Sequence, residues 1–573
     1  MHPIHRAIAV VATVSVLFAC GGSEQREGTK SSTQSSTPGR SKIHAVASAT
    51  CDNPPMPPDT QFPAGFDYPQ TAKSLSAWVG TRQGDRQRLH AYCIFAGLNQ
   101  PTGGSGVPVW RSWQTATQAF PWEYNPWQNP QGGNAAAPSE SRPVTINQAR
   151  SRAQGTTGAI LNPIPLYPVN AAVASKYPQC LQPLLNNNGQ KMPGKYALLD
   201  GKIFQSNGDI MIAAVSYNTA AIKNINVQQL YDAAVLSGQL PSATNGPSTG
   251  IQPMPSTSIV LKVMLWPVAG GGPTWTSVTA LPVWDWDQNK PGSSSDNQYA
   301  GYEMQKFWKR AAAISSGPVS GPARTQRVQF LYGVLDPNGN PLNSNTYDGQ
   351  VVGLDRFYSK KYSQTDLNAL SPCDRAILDA SAYWTYNRAF AQGDSLALVA
   401  MHMITKEQSN WTFQSAWWHP DAQACANNYR FCSSRPISVP GGDTTWQNYM
   451  ITSTYGMLQQ SGNQNFYAPP GTLQPPQVWP VAYNPYIELA ASHPITTNCM
   501  NCHHRAAWPP DTKSKPVGSY PQSAYLQASP ANPNALEAFV TSSPIFNGQL
   551  TVDSMWAVSD RAGWGAGATA AKK

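Results

Sequence analysis

Near its C-terminus the chain reads Asn498-Cys499-Met500-Asn501-Cys502-His503-His504. Two thiols separated by two residues and followed at once by an imidazole can hold a porphyrin covalently. Each thiol adds to one vinyl group, and the short loop between them spans one edge of the ring. The imidazole of His503 then lies under the macrocycle and binds its iron axially. With nine Cys and nine His in 573 residues, Cys-x-x-Cys-His arises by chance only about 0.002 times per chain, so chance does not account for it. Two other chemistries use the same residue types. A zinc site needs two more ligands, and none follows within reach in sequence. A thioredoxin-type dithiol needs a strand leading into a helix, and Ser492-His493-Pro494-Ile495-Thr496-Thr497 does not read that way. The run therefore predicts one covalent haem c per chain, bound by Cys499, Cys502 and His503.

The opposite face of such an iron needs a second ligand or an opening. After His504 the chain has no further His and a single Met, Met555. A thioether would raise the potential of a His-ligated iron, which makes Met555 the first candidate. An ordinary core role, filling an irregular gap, is its alternative. His402 is the second candidate, presented by a hairpin of the body; its alternative is a structural imidazole bonded to a neighbour. His419 and His493 stand next to or near prolines and read as surface residues.

The N-terminus places this chemistry outside the cytoplasm. Residues 1–19 read as an export signal, with Arg6 before the apolar stretch Ala7 to Phe18, too short to span a bilayer as a mature helix. Leu17-Phe18-Ala19-Cys20 resembles the cleavage box of bacterial lipoproteins. The resemblance implies lipidation of Cys20, and Gly21 after it implies an outer-membrane destination facing the periplasm, with surface exposure open. Ordinary cleavage nearby is the alternative. Residues 20–47 then read as a flexible tether of Ser, Thr, Gly and charge, reaching about 30 Å.

Setting aside Cys20 and the motif pair, six cysteines remain, an even number in an oxidising compartment. The candidate pairs are Cys425–Cys432, Cys51–Cys93 and Cys180–Cys373, against free buried thiols. Charged residues make up only 12% of the chain, with 51 Pro and 19 Trp, the composition of a large exported globular protein. The formal charge of +9 is scattered without a basic run, so no nucleic-acid footprint is present. Past the signal, no apolar run is long enough to span a membrane.

The elements that must position the motif read as mixed. A helix-like stretch covers Asp85 to Leu98. Lys202-Ile203-Phe204 after Asp200-Gly201 suggests a hairpin with Tyr196 to Leu199. Strands are expected at Ile210 to Tyr217, Ile259 to Trp266 and Val328 to Leu335. Helices are expected at Asn226 to Ser237, with Asn226 as its cap, at Asp296 to Ile314, and from Ser371-Pro372 to Phe390. Leu396 to Thr405 alternates as a strand with His402 on one face. Lys406 to Asn410 reads as a solvated turn, and Trp411 to Trp418 returns with its aromatics in the core. No Gly-x-Gly-x-x-Gly follows a strand, so a dinucleotide site is not expected.

At Cys499, Cys502 and His503 the chain resembles c-type cytochromes, and as a whole the large single-haem cytochrome c-like lipoproteins of bacterial envelopes. The cytochrome resemblance covers residues 491–573. With the elements above, the chain reads as an α+β protein with a large β-rich mixed body at 48–490, divisible near residue 340, to which the resemblance adds a C-terminal cytochrome c-like haem-binding segment. The resemblance also implies electron transfer with redox partner proteins of the envelope, the membrane being reached through the N-terminal lipid. A haem-dependent oxidoreductase (peroxidase or oxidase) with a pocket in the body, and a binding or sensory protein with structural haem, stay open. The state of the sixth iron position separates them.

Overall fold

A computed structural model of the chain describes residues 68–69, 75, 84–102, 107–121, 160–161, 169–185, 191–198, 204, 211–243, 246–271, 278–284, 310–329, 334–335, 346–409, 411–422, 444–455, 484–487, 499, 503, 506–509 and 546–563. Position 410 and the stretches between these ranges (103–106, 186–190, 244–245 and 272–277 among them) lie outside the described residues. The chain divides into residues 1–48 and 49–573; the first unit, with Cys20, lies outside the described residues.

The second unit is mixed helix and sheet, with several antiparallel sheets and few helices. Its main sheet has seven strands: β1 (Gln114–Thr115), β2 (Ile212–Tyr217), β3 (Ile259–Val268), β4 (Ser359–Lys361), β5 (Ser395–Thr405), β6 (Thr412–Trp418) and β7 (Tyr449–Thr454). They run in the order β7-β6-β5-β3-β2-β1, with β4 also on β5, and every pairing is antiparallel. β5 is buried along all its length, which explains its near-continuous apolar sequence. Alternation sends Met401 and Met403 into the larger core and turns His402 and Ile404 to the other face. There Ile404 joins Phe413, Val260 and Tyr217 in a second core.

Helices cover these faces. α1 (Gly84–Leu98) packs near β7 and buries Ile94, Phe95 and Leu98. α2 (Thr219–Gln228) begins at Asn218, whose Oδ1 accepts from Ala221 N at 3.1 Å and from Ile259 N at 3.0 Å. One side chain thus caps the helix and ties it to β3. α2 stops where Gln229 turns left-handed, and α3 (Ala233–Gly238) restarts at the Asp232 cap. The single helix expected over 226–237 is therefore two, and Asn226 lies in the last turn of the first. α4 (Pro372–Tyr386) has Ser371 as cap and ends at left-handed Asn387, as the Ser-Pro start suggests. Cys373 in its first turn bonds Cys180, 193 residues away. Cys93 is also disulfide-bonded; its partner lies outside the described residues, as do Cys51, Cys425 and Cys432.

Other expectations fail for tertiary reasons. Arg310–Ser315 is a strand, not the end of a helix. It lies between Val278–Val283 and Thr346–Gly353 in a four-stranded sheet, where buried pairing overrides the helix preference of Ala311 to Ala313. The stretch from Val328 to Leu335 is split. Thr325–Gln329 pairs in that sheet, while Val334–Leu335 pairs with Ile160–Leu161. Lys191–Leu198 pairs backwards with Leu181–Leu185; the expected turn at 200–201 lies outside the described residues. No described helix is long and apolar enough to cross a membrane.

The C-terminal residues join the body. Ala507–Trp508 pairs with Leu550–Thr551, which pairs in parallel with Thr249–Gly250. α5 (Trp556–Arg561) follows, and Gly563 bridges to Asp232 before α3. Cys499, Ala506, Trp508, Leu550, Val552, Met555 and Val558 belong to the second core. The motif segment is thereby held against the His402 face of the main sheet.

Candidate functional site

Cys499 and His503 both have helical backbone. Cys499 is buried, while His503 is half-buried; Cys502 and His504 lie outside the described residues. The His503 imidazole is held from behind: its Nδ1 is 3.0 Å from the Ser554 carbonyl oxygen. A carbonyl accepts only, so Nδ1 carries the proton and donates, and Nε2 becomes the lone-pair nitrogen. Metal-binding histidines are oriented in this way.

The loop that presents this carbonyl is unusual. Asp553 and Ser554 both have positive φ, 49° and 63°, a conformation that costs non-glycine residues energy and persists only where its surroundings fix it. Here the fixing groups are visible. The Asp553 carboxylate accepts from Met254 N at 2.8 Å and from Lys406 Nζ at 2.6 Å. Lys406 also donates to the Ser409 carbonyl and lies over the Trp411 ring, 5.2 Å from its centroid. Trp411 itself has φ 62°. The β5–β6 connection thus reaches across and fixes the loop behind His503.

Lys406 and Glu407 were expected in a solvated turn, and both are buried. The reason is pairing. Lys406 meets Asp553, and Glu407 accepts from Thr405 Oγ1 and lies 3.1 Å from His90 Nε2. Nδ1 of His90 is 2.7 Å from the Tyr455 hydroxyl. Burial first, then the Glu407 charge, push the Tyr68 and Tyr455 hydroxyls well above the ordinary phenol range.

His402 arrives from the sheet. The hairpin register sets it opposite Ser415, and His402 Nδ1 lies 2.9 Å from Ser415 Oγ. Asn484 Nδ2 donates to the same hydroxyl at 2.9 Å, which keeps a second lone pair and its own proton, so it accepts from or donates to His402 Nδ1 according to the imidazole tautomer. His402 is 2% exposed. Burial first, then the neighbouring His503 and Lys262, push its imidazole well below the ordinary histidine value. Its ring centroid lies 5.9 Å from that of His503, with the planes 15° apart. Phe413 flanks both, 4.8 Å from His503 and 6.3 Å from His402.

Of the sequence candidates, the fold brings Cys499, His503, His402 and Met555 into one region. Met555 is 5% exposed in the second core. Its backbone is anchored by Met555 N to the Val552 carbonyl and Val558 N to the Met555 carbonyl. It adjoins Ser554, the residue behind His503. His419 was read as surface and is 1% exposed; its Nδ1 accepts from Asp421 N at 3.1 Å, a turn-holding role. His493 lies outside the described residues. Ser554, Ser415, Phe413 and the Lys406–Asp553 pair were not among the sequence candidates. Only Ser415 left a signal, since a hairpin turning at 406–410 predicts its place opposite His402. Among the described residues no group of three or more His, Cys, Asp or Glu comes together as a metal site.

The donor set is chemically specific. A buried thiol lies four positions before an imidazole whose Nδ1 is held by a carbonyl, and a second buried imidazole and an aromatic ring stand beside that imidazole. No family model, curated protein or solved structure matches the chain.

Proposed function

We propose that the protein is a c-type haem protein of the bacterial envelope that transfers electrons through one covalently attached haem. The observation that carries this reading is the Cys499-Met500-Asn501-Cys502-His503 run with its imidazole fixed, Nδ1 to the Ser554 carbonyl, on a segment docked into the second core. When bound, the haem supplies a one-electron iron couple. Cys499 and Cys502 would hold its two vinyl edges. His503 would offer Nε2 to the iron, and the Ser554 carbonyl orients that ring and strengthens it as a donor. Val552, Val558, Phe413 and Trp411, all buried, keep water from the site. His402 and Phe413 standing against His503 favour a carrier over an enzyme with an open iron face. In this reading a lipid on Cys20 and the tether after it would anchor the protein to a membrane, with redox proteins of the envelope as its partners.

The test is expression of the full chain in a host competent for haem attachment. Pyridine haemochrome analysis of denatured protein should return one haem c per chain. Haem retained by the Cys499→Ala, Cys502→Ala double variant would refute the assignment.

A further inference from the structure

We propose that Tyr455 is a redox-active tyrosine, which gives up one electron while His90 takes and keeps its proton. The site is separate from Cys499 and His503. Gln414, opposite Met403 in the hairpin register, sends its amide to Tyr455, so the site lies on the larger-core side of the main sheet, away from His402.

Three groups stand in line. The Tyr455 hydroxyl is 2.7 Å from Nδ1 of His90, and Nε2 of His90 is 3.1 Å from Glu407 Oε1. They come from separate elements: His90 from α1, Glu407 from the β5–β6 connection and Tyr455 from the end of β7. Their exposures are 5%, 3% and 2%, so water does not serve them.

The proton inventory gives the line a direction. Burial first, then the Glu407 charge, raise the Tyr455 phenol, so the hydroxyl keeps its proton. Gln414 Nε2 donates to that oxygen at 3.5 Å. Among the described residues, the acceptor for the phenolic proton is then Nδ1 of His90. A neutral imidazole that accepts at Nδ1 carries its own proton on Nε2 and gives it to Glu407. The Thr405 hydroxyl donates to the other carboxylate oxygen and fixes it.

The chemistry follows from this order. A phenol that has lost an electron is too acidic to hold its proton, and a buried one needs a base within hydrogen-bond reach. A one-electron oxidant takes one electron from Tyr455. The O–H bond breaks and its proton goes to His90 Nδ1. The products are a neutral phenoxyl radical, an imidazolium and the reduced oxidant. The imidazolium forms against Glu407, whose charge favours a cation there. Reduction returns one electron to the ring and the same proton to the oxygen.

Other tyrosines lack such a base. Tyr68 feels the same Glu407 charge, but its hydroxyl donates to the Ser256 and Ser258 carbonyls, which do not take protons. Tyr177 and Tyr386 donate to Asp379 and Asp394. A carboxylate is a weaker base than an imidazole, and these two already hold Lys176 and Arg388. Protonating them would break those ion pairs.

The experiment uses the full chain, with photogenerated tris(bipyridine)ruthenium(III) as the one-electron oxidant. Electron paramagnetic resonance follows samples frozen at increasing delays. The wild type should show a tyrosyl signal that outlives the radicals of surface tyrosines. Tyr455→Phe should lose that persistent signal, and Tyr68→Phe should keep it. His90→Gln should shorten its lifetime on the order of 10²-fold, the usual worth of a positioned proton acceptor. A persistent signal unchanged in Tyr455→Phe would overturn the proposal. So would a wild-type radical that decays as fast as in the urea-unfolded chain, or an unchanged lifetime in folded His90→Gln. If His90→Gln does not fold, Tyr455→Phe, which removes one hydroxyl, still decides. The signal needs no haem, so its failure and that of haem attachment are read separately.

Discussion

Replacing Lys406 with Met tests whether the β5–β6 connection holds the loop behind His503. The Lys406 and Asp553 side chains are 5% and 14% exposed, and their charged atoms are 2.6 Å apart. Removing one partner of a buried pair costs about 3–5 kcal/mol, because the other is left charged and uncompensated. The chemistry of Asp553 sets a ceiling. Burial already pushes this carboxyl above its ordinary value, and the Lys406 charge and hydrogen bond work against that push. Without Lys406 the carboxyl takes a proton instead of staying charged. Protonating a group of ordinary pKa about 3.9 at pH 7 costs three units at about 1.36 kcal/mol each, or about 4 kcal/mol. The expected deficit at pH 7 is therefore about 3–4 kcal/mol. Its pH dependence has a definite sign. A carboxyl raised in the folded state binds a proton there before it does in the unfolded chain, so stability falls as pH rises between the unfolded and folded values. The Lys406→Met deficit should thus shrink to about 1 kcal/mol near pH 4, leaving only the lost contact with Trp411. Asp553→Asn should also be destabilising, since it leaves the buried Lys406 ammonium without its carboxylate. The double variant should recover most of the loss. Urea unfolding of the full chain, followed by tryptophan fluorescence at pH 4, 7 and 9, measures all of this. A deficit below about 1 kcal/mol at pH 7, or one that does not change with pH, would show that the pair is not the buried brace described here.

Other expectations concern different parts of the chain. Ser415→Ala should cost about 1–3 kcal/mol, since it strips a hydrogen-bond partner from a buried imidazole and from Asn484; urea unfolding against wild type reads it, and a neutral result would mean that another group takes over. The Cys180→Ser, Cys373→Ser variant releases a 193-residue loop, worth about 5 kcal/mol in the chain-entropy account; a midpoint unchanged under oxidising conditions would refute that. Metabolic labelling with a palmitate analogue should tag wild type and not Cys20→Ala, and an untagged wild type in a competent host would leave ordinary secretion.

The parts of the fold that the sequence predicts are those where local pattern and long-range pairing agree. β3, β5 and β6 are long, apolar and bounded by turn residues, and the register of β5 with β6 follows from a single connection at 406–410. α4 carries its own start in Ser371-Pro372 and its own stop in Asn387. The misread elements are those in which tertiary pairing chose between near-equal options. Ala311 to Ala313 favour a helix locally, yet two neighbouring strands claim their backbone. Asn226 looks like a cap, but Asn218 takes that role because its amide oxygen can serve both α2 and β3 at once. Nothing within a ten-residue window distinguishes the two asparagines.

The candidate site divides along the same line. Cys499, Cys502 and His503 stand out in the sequence because the proposed haem attachment would fix their spacing. What orients them is not, because it is built from residues that carry no motif. Ser554 acts through its carbonyl, which every residue has. Its presentation depends on two left-handed residues, and their strain is tolerated only because Asp553 is tied to Met254 and Lys406 from distant parts of the chain. Lys406 in turn reads as solvated, since lysine after a strand and before Glu-Gln-Ser-Asn is the usual composition of an exposed turn. Its burial follows only once the C-terminal segment is laid on the sheet. The same docking brings the His402 and His503 rings to 5.9 Å across 101 positions of sequence. That approach of two imidazoles depends on the docking of two distant segments, a quantity that exists only in the folded chain.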